Sequence, residues 1–149
     1  AVGHSDRQRV LCEVRRVLQP GGIFLFSTYN LNGPSARERP WNLAGLDLHN
    51  ARRAASRVKY RVATLAAGIR NYQRLARDYE RGDGWAVRTN GSHKFGIVIH
   101  HTTLQNELAE LAEAGFGGIT VWSGNDGRVV NDSDDTRRIW YFHLLGIRQ

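Results

Sequence analysis

Residues 6–30 read DRQRVLCEVRRVLQPGGIFLFSTYN, and this stretch decides the fold. Its first part carries apolar side chains at the spacing of one helix face, at Val10, Leu11, Val14, Val17 and Leu18. Asp6 is the expected N-cap, because its carboxylate can accept hydrogen bonds from the first free amides. Pro20-Gly21-Gly22 ends the helix. The apolar run Ile23–Phe26 lacks alternation, which is typical of a strand covered on both faces, as in a parallel sheet.

The rest of the chain alternates loops, helices and short strands. Residues 29–41 have the composition of a loop. Residues 58–79 show the apolar spacing of an amphipathic helix, with arginines between the apolar positions. This segment forms either one helix or, if Gly68 interrupts it, two shorter helices. Gly82-Asp83-Gly84 is expected to end this helix, and extended segments are predicted at 85–87 and 95–101. Thr102 or Thr103 caps another helix, and the last strands are expected at 119–122 and 139–145. This order predicts an α/β layer architecture.

Composition limits the class of protein. The 149 residues, 41% of them hydrophobic, suffice for one core, and they contain neither a signal-peptide pattern nor an apolar run long enough for a membrane span. The expected location is the cytoplasm. Cys12 is the only cysteine, so no internal disulfide forms. The net charge of +7 suits nucleic acid, an acidic membrane or an anionic substrate, and it equally reflects a compositional bias toward arginine.

Two blocks carry a resemblance to a known family. Residues 6–30 resemble the amphipathic helix, Pro-Gly-Gly turn and fifth strand of class I S-adenosylmethionine-dependent methyltransferases. The segment TTLQNELAELAEAGFGGITVW, residues 102–122, is similar to the last helix of that family, its Ala-Gly-Phe turn and the strand after it. The two blocks occur in the family's order and are separated by a variable insertion.

The resemblance implies a partial Rossmann-like methyltransferase sheet, made of strands five to seven with the final strand antiparallel. Residues 1–29 would hold the helix, the turn and the fifth strand, residues 30–92 a helical insertion or substrate lid, and residues 93–149 the last helix and terminal strands. The parent protein would transfer a methyl group from S-adenosylmethionine to a small molecule. The glycine-rich turn and acidic residue that bind this cofactor are absent. We therefore expect an inactive C-terminal fragment that forms a homo-oligomer or needs its N-terminal half.

The same resemblance assigns candidate site residues. Val2, Gly3 and His4 follow the position of the fourth strand and would contact the cofactor, with His4 nearest the reacting methyl group. His101 is the second catalytic candidate, because imidazole titrates near neutrality. The expected substrate contacts are Tyr29, Asn30, Trp41, His93 and His100. No metal site is predicted, since neighbouring His100 and His101 point to opposite faces of a strand.

Purely structural roles for these residues, and other functions for the protein, stay open. The histidines also suit one packed and one solvated side chain, and the arginines suit a solvated helix face. One alternative function is a non-catalytic half-domain that pairs with another chain. Another is an arginine-rich RNA-binding or RNA-modifying module with aromatic side chains for stacking, which is less favoured because no RNA-binding signature is present.

Overall fold

The computed structural model describes residues 3–42 and 51–149. The elements in chain order are α1 (His4–Val17), β1 (Ile23–Asn30), α2 (Pro34–Arg37), α3 (Ala51–Leu75), β2 (Glu80–Gly82), β3 (Trp85–Thr89), β4 (Val98–Thr102), α4 (Leu104–Glu113), β5 (Phe116–Ser123) and β6 (Tyr141–Arg148). Two 3-10 turns, Ala76–Asp78 and Ser92–Phe95, follow α3 and β3. The predicted α/β character is confirmed.

One open sheet of six strands organises the molecule. Its order is β2-β3-β4-β1-β6-β5, and β1 and β4 are the parallel pair. The last strand, β6, is antiparallel to both of its neighbours, as expected. The β2–β3 and β3–β4 pairs are also antiparallel, so the sheet as a whole is mixed and mostly antiparallel.

Two local features differ from the sequence prediction, and a third settles a point that the sequence left open. Helix α1 begins at His4 with Gly3 as its N-cap residue, because the Gly3 carbonyl already accepts from the Arg7 amide. The glycine-rich stretch after residue 81 turns a hairpin between β2 and β3, with Gly84 at a positive φ of 71°, and does not simply end a helix. Helix α3 continues through Gly68, which is one of the two possibilities that the sequence left open, and Phe95 and Pro40 lie beside this position.

The core lies between one face of the sheet and helices α1 and α4. Phe142 and Leu144 of β6 are fully buried there, together with Leu104 and Leu111 of α4. Helix α1 buries only Leu11 completely, whereas Val10 and Val17 remain 49% and 66% exposed. The helix therefore has apolar surface that the described part of the chain leaves uncovered.

Strand β1 is paired unequally on its two sides. It pairs with β6 from Ile23, opposite Ile147, to Tyr29, opposite Tyr141. With β4 it pairs only at Tyr29 and Asn30. Ile23 and Leu25 are 60% and 66% exposed. The expectation of a strand covered on both faces and inside a parallel ladder is therefore wrong for the described chain, because no described element lies over Ile23 and Leu25.

A half-open strand with an apolar face favours association, because free backbone groups invite another chain to pair. We expect the weight-average sedimentation coefficient of the protein to rise with concentration, and Leu25→Lys to keep it near the monomer value, since an edge lysine opposes pairing. Val62→Lys is the matched control, because Val62 is 71% exposed on α3, away from this edge. Sedimentation that is monomeric at every concentration would contradict the prediction.

Candidate functional site

Two of the predicted histidines meet on the helix-covered face of the sheet. The His4 Nδ1 atom lies 3.1 Å from the His100 Nε2 atom, although the residues are 96 positions apart. The His4 ring stacks on Trp85 with a centroid separation of 3.8 Å and an interplanar angle of 2°. Helix α1 supplies His4, and the antiparallel strands β3 and β4 supply Trp85 and His100.

An ion-pair network lies beside the two histidines. Arg7 donates to the carboxylates of Glu107 and Glu110, and the Glu110 Oε1 atom is 3.9 Å from His4 Nδ1. The side-chain amide of Asn106 donates a hydrogen bond to the Glu110 carboxylate over 2.8 Å. None of these four residues was predicted from the sequence. The sequence did contain one signal of this network. Glu107 falls among the buried leucines of α4, and a buried acidic residue on an apolar helix face needs a cationic partner.

Burial controls the protonation of this cluster. Burial, together with the nearby Arg7 charge, lowers the pKa of His100 from 6.5 to about 3. Burial and Arg7 also lower the pKa of His4, against an opposing effect of Glu80. The pKa of Glu107 rises to about 7 because burial outweighs the attraction of Arg7. At neutral pH the cluster thus holds uncharged imidazoles, which hydrogen-bond well and are weak bases.

His101 lies on the opposite face of β4 from His100, as predicted from strand geometry. It is fully buried, its Nδ1 atom is 3.1 Å from the Ile99 carbonyl, and its ring tilts against Tyr29. The Nε2 atom has no hydrogen-bond partner. The residue is fully buried, so the ring has no described contact with solvent, and the catalytic role expected of His101 stays a prediction.

Asn30 is a structural residue in this arrangement. Its amide nitrogen donates to the carbonyls of Thr136 and Ile139, and its oxygen accepts from the Asn32 amide. The side chain is fully buried. The two bonds to Thr136 and Ile139 hold the loop before β6 against the end of β1, and all three bonds together leave little capacity for the substrate contact predicted for Asn30.

The remaining predicted residues are dispersed. Val2 lies outside the described residues. Gly3 and the His4 amide face the Glu80 carboxylate, which accepts from His4 over 3.2 Å. Trp41 is 62% exposed and meets Tyr72 edge-on. His93 is exposed in the 3-10 turn after β3 and has a positive φ of 50°. No contact described for it joins it to His4 or His100.

An aromatic pocket opens at the carboxyl end of β1. We use this name for the cavity of about 350 Å³ lined by Tyr29, Glu38, Arg57, Tyr60, Asn90, Gly91, Ser92, Trp140 and Tyr141. Of the predicted substrate contacts, it contains only Tyr29. The other aromatic side chains are Tyr60 of α3, Trp140 just before β6, and Tyr141, the first residue of β6. They were not predictable from the sequence, because three separate segments combine to make the pocket.

A second cavity separates β1 from β4. We call it the β1–β4 cleft; it measures about 350 Å³ and is lined by Arg7, Val10, Phe26, Ser27, Thr28, Tyr29, Val98, Ile99 and His100. The two strands pair at Tyr29 and Asn30 and diverge toward their amino ends. The cleft is therefore a gap between parallel strands, with α1 above it.

The described residues contain no glycine-rich turn of the kind that the expected S-adenosylmethionine site would need. Such a site requires a glycine-rich turn from a strand into a helix. The glycines at 115, 117 and 118 instead follow α4, and the last two lie within β5. Residues 3–42 and 51–149 also contain no group of three or more His, Cys, Asp or Glu side chains arranged to hold a metal ion.

Comparisons add no assignment. Neither protein-family models, nor curated proteins, nor solved structures match the chain. Among the helices of the described residues, none combines the length and the apolar character needed to cross a bilayer.

Buried His101 makes stability depend on pH. Burial, aided by Arg88, lowers its pKa from 6.5 to about 4 against the Ile99 hydrogen bond. The unfolded state therefore binds more protons between these values, and stability falls as the pH drops from 6.5 to 4. We expect a loss of about 3 kcal/mol from this group, and His101→Gln to flatten the dependence accordingly. The measurement is urea unfolding across this range.

The control for this prediction is His93→Gln, which removes an exposed histidine and should retain the steep dependence. Glu107 acts in the opposite direction, because its raised pKa gives a contribution that is lost as the pH rises from 4.5 to about 7. His100 acts in the same direction as His101. Both groups remain in each variant, so the difference in slope isolates His101. An unchanged slope in His101→Gln would contradict the assignment.

Proposed function

We propose that this chain is the C-terminal part of a class I methyltransferase domain, and that the parent protein transfers a methyl group from S-adenosylmethionine to a small molecule. One observation carries the proposal. Strand β1 is paired with antiparallel β6 along one side from Ile23 to Tyr29, and on its other side it pairs with β4 only at Tyr29 and Asn30, so that Ile23 to Thr28 have no strand partner there.

In this proposal, the position of α1 explains which strand would pair with the free side of β1. The helix leads directly into β1, so it would serve as the crossover from an earlier strand. Strand–helix–strand connections are right-handed and place parallel strands side by side. A strand ahead of α1 would thus enter the β1–β4 cleft. It would cover Val10 and Phe26, which line that cleft, and pair the free backbone groups of β1.

The proposal assigns the cofactor to residues beyond those described. S-adenosylmethionine supplies an activated methyl group, and an enzyme accelerates its transfer chiefly by holding donor and acceptor in line. His4 begins α1, at the point where the inserted strand would end. Ligands of open α/β sheets bind at the carboxyl ends of strands, which places His4 and Tyr29 at the edge where donor and acceptor would meet.

Calorimetric titration with S-adenosylhomocysteine tests the proposal. The 149-residue chain is compared with a chain extended at its amino end by the residues encoded upstream of Ala1. We expect the extended chain to bind and the 149-residue chain not to bind, because only the former would carry the glycine-rich turn. ATP serves as the nucleotide control and should bind neither. A folded extended chain that ignores S-adenosylhomocysteine would refute the proposal.

The same open edge supports a second candidate, a non-catalytic half-domain that pairs with another polypeptide. Exposed strand edges accept a strand from a partner through main-chain hydrogen bonds. The two candidates differ in the upstream DNA. A stop codon followed by a start at Ala1, together with a separately encoded partner that bears the glycine-rich turn, would favour the half-domain.

A further inference from the structure

The aromatic pocket has the character of a built ligand site. Tyr29, Tyr60, Trp140 and Tyr141 supply four partly exposed aromatic walls. We propose that this pocket binds a planar aromatic small molecule. Its identification as the methyl acceptor rests on the proposed function, whereas the binding itself does not.

The stacking geometry points to a flat ligand. The Arg57 guanidinium lies over the Trp140 ring, 4.4 Å from its centroid, so one wall already holds a cation–π contact between two planar groups. The Tyr29 and Tyr141 rings are inclined at 53° with centroids 6.2 Å apart. Aromatic rings and guanidinium groups attract a further ring by stacked or edge-to-face contacts, which a saturated ring of the same outline cannot make.

A buried carboxylate fixes the polar rim of the pocket. Glu38 has only 3% of its side chain exposed. It accepts from the Gly91 amide over 2.7 Å and from Arg57 over 3.2 Å. It thereby joins the end of α2, the helix α3 and the loop after β3 at one point. Arg57 and Gly91 are thereby held at the rim of the pocket before any ligand arrives, and such preorganisation lowers the entropic cost of binding.

The pocket also has a suitable size and place. Its volume of about 350 Å³ falls in the range of roughly 300–1,000 Å³ typical of small-molecule sites. Tyr29 lines both this pocket and the β1–β4 cleft. A ligand in the pocket would therefore lie next to the strand end at which the proposed function places the methyl donor.

The test compares 2-naphthoate with its fully saturated counterpart, decahydro-2-naphthoate, in calorimetric titrations of the 149-residue chain. The two probes share charge and outline and differ in aromaticity. We expect naphthoate to bind and the saturated probe to bind roughly three- to tenfold more weakly, because the saturated ring system cannot stack on the aromatic walls. Equal affinities, or no binding of naphthoate, would overturn the proposal.

Variants locate the site. Trp140→Leu should weaken naphthoate binding about three- to tenfold, whereas Trp122→Leu on β5, outside the pocket, should leave it unchanged. Tyr60→Ala gives an independent reading if Trp140→Leu does not fold, since Tyr60 is 45% exposed on α3. Equal weakening in Trp122→Leu, or none in Tyr60→Ala and Trp140→Leu, would place the ligand elsewhere and overturn the proposal. Neither probe donates a methyl group, so this outcome is independent of the S-adenosylhomocysteine titration.

Discussion

The antiparallel pairing of β1 with β6 holds the whole structure together, because it joins the beginning of the chain to its end. Phe24 and Phe26 lie opposite Gly146 and Leu144 on the covered face, where α1 and α4 complete the core. The turn before β1 is fastened to the same strand, since Gly21 and Gly22 exchange backbone hydrogen bonds with Arg148. The Pro-Gly-Gly turn therefore ends α1 and also sets the register of the last strand.

Local sequence signals were sufficient for elements whose ends are marked within a few residues. The Pro-Gly-Gly turn marks the end of helix α1. The Thr103 side chain marks the beginning of α4, because it accepts a hydrogen bond from the Asn106 backbone N–H as an N-cap does. The β2–β3 hairpin was not recognised, because Gly82-Asp83-Gly84 signals a helix end as well as a two-residue turn. The exposure of Ile23 and Leu25 could not be predicted from the sequence either. Whether an apolar strand is covered depends on elements far away in the chain.

The candidate sites likewise combine residues that the sequence marks locally with surroundings that depend on distant parts of the chain. His4, His100 and Tyr29 were predicted as functional side chains, and the structure brings the first two into contact. Their environment was not predictable, since Trp85 reaches His4 only through the hairpin that the sequence did not reveal. The Glu38–Arg57 pair was hidden for a different reason. Glu38 lies in a polar loop and Arg57 on an arginine-rich helix, where charges are usually solvated.

The end of β1 connects the two cavities mechanically. Tyr29 and Asn30 pair with His101 and Thr102, and Asn30 also fastens the loop that leads to Trp140. The aromatic pocket is thereby fixed by the same two residues at which the β1–β4 cleft closes. A strand that filled the cleft would extend this parallel pairing toward Ile23 and would contact Tyr29 from the side opposite the pocket. Tyr29 lines both cavities, so a strand that filled the cleft would lie beside a residue that also forms a wall of the pocket.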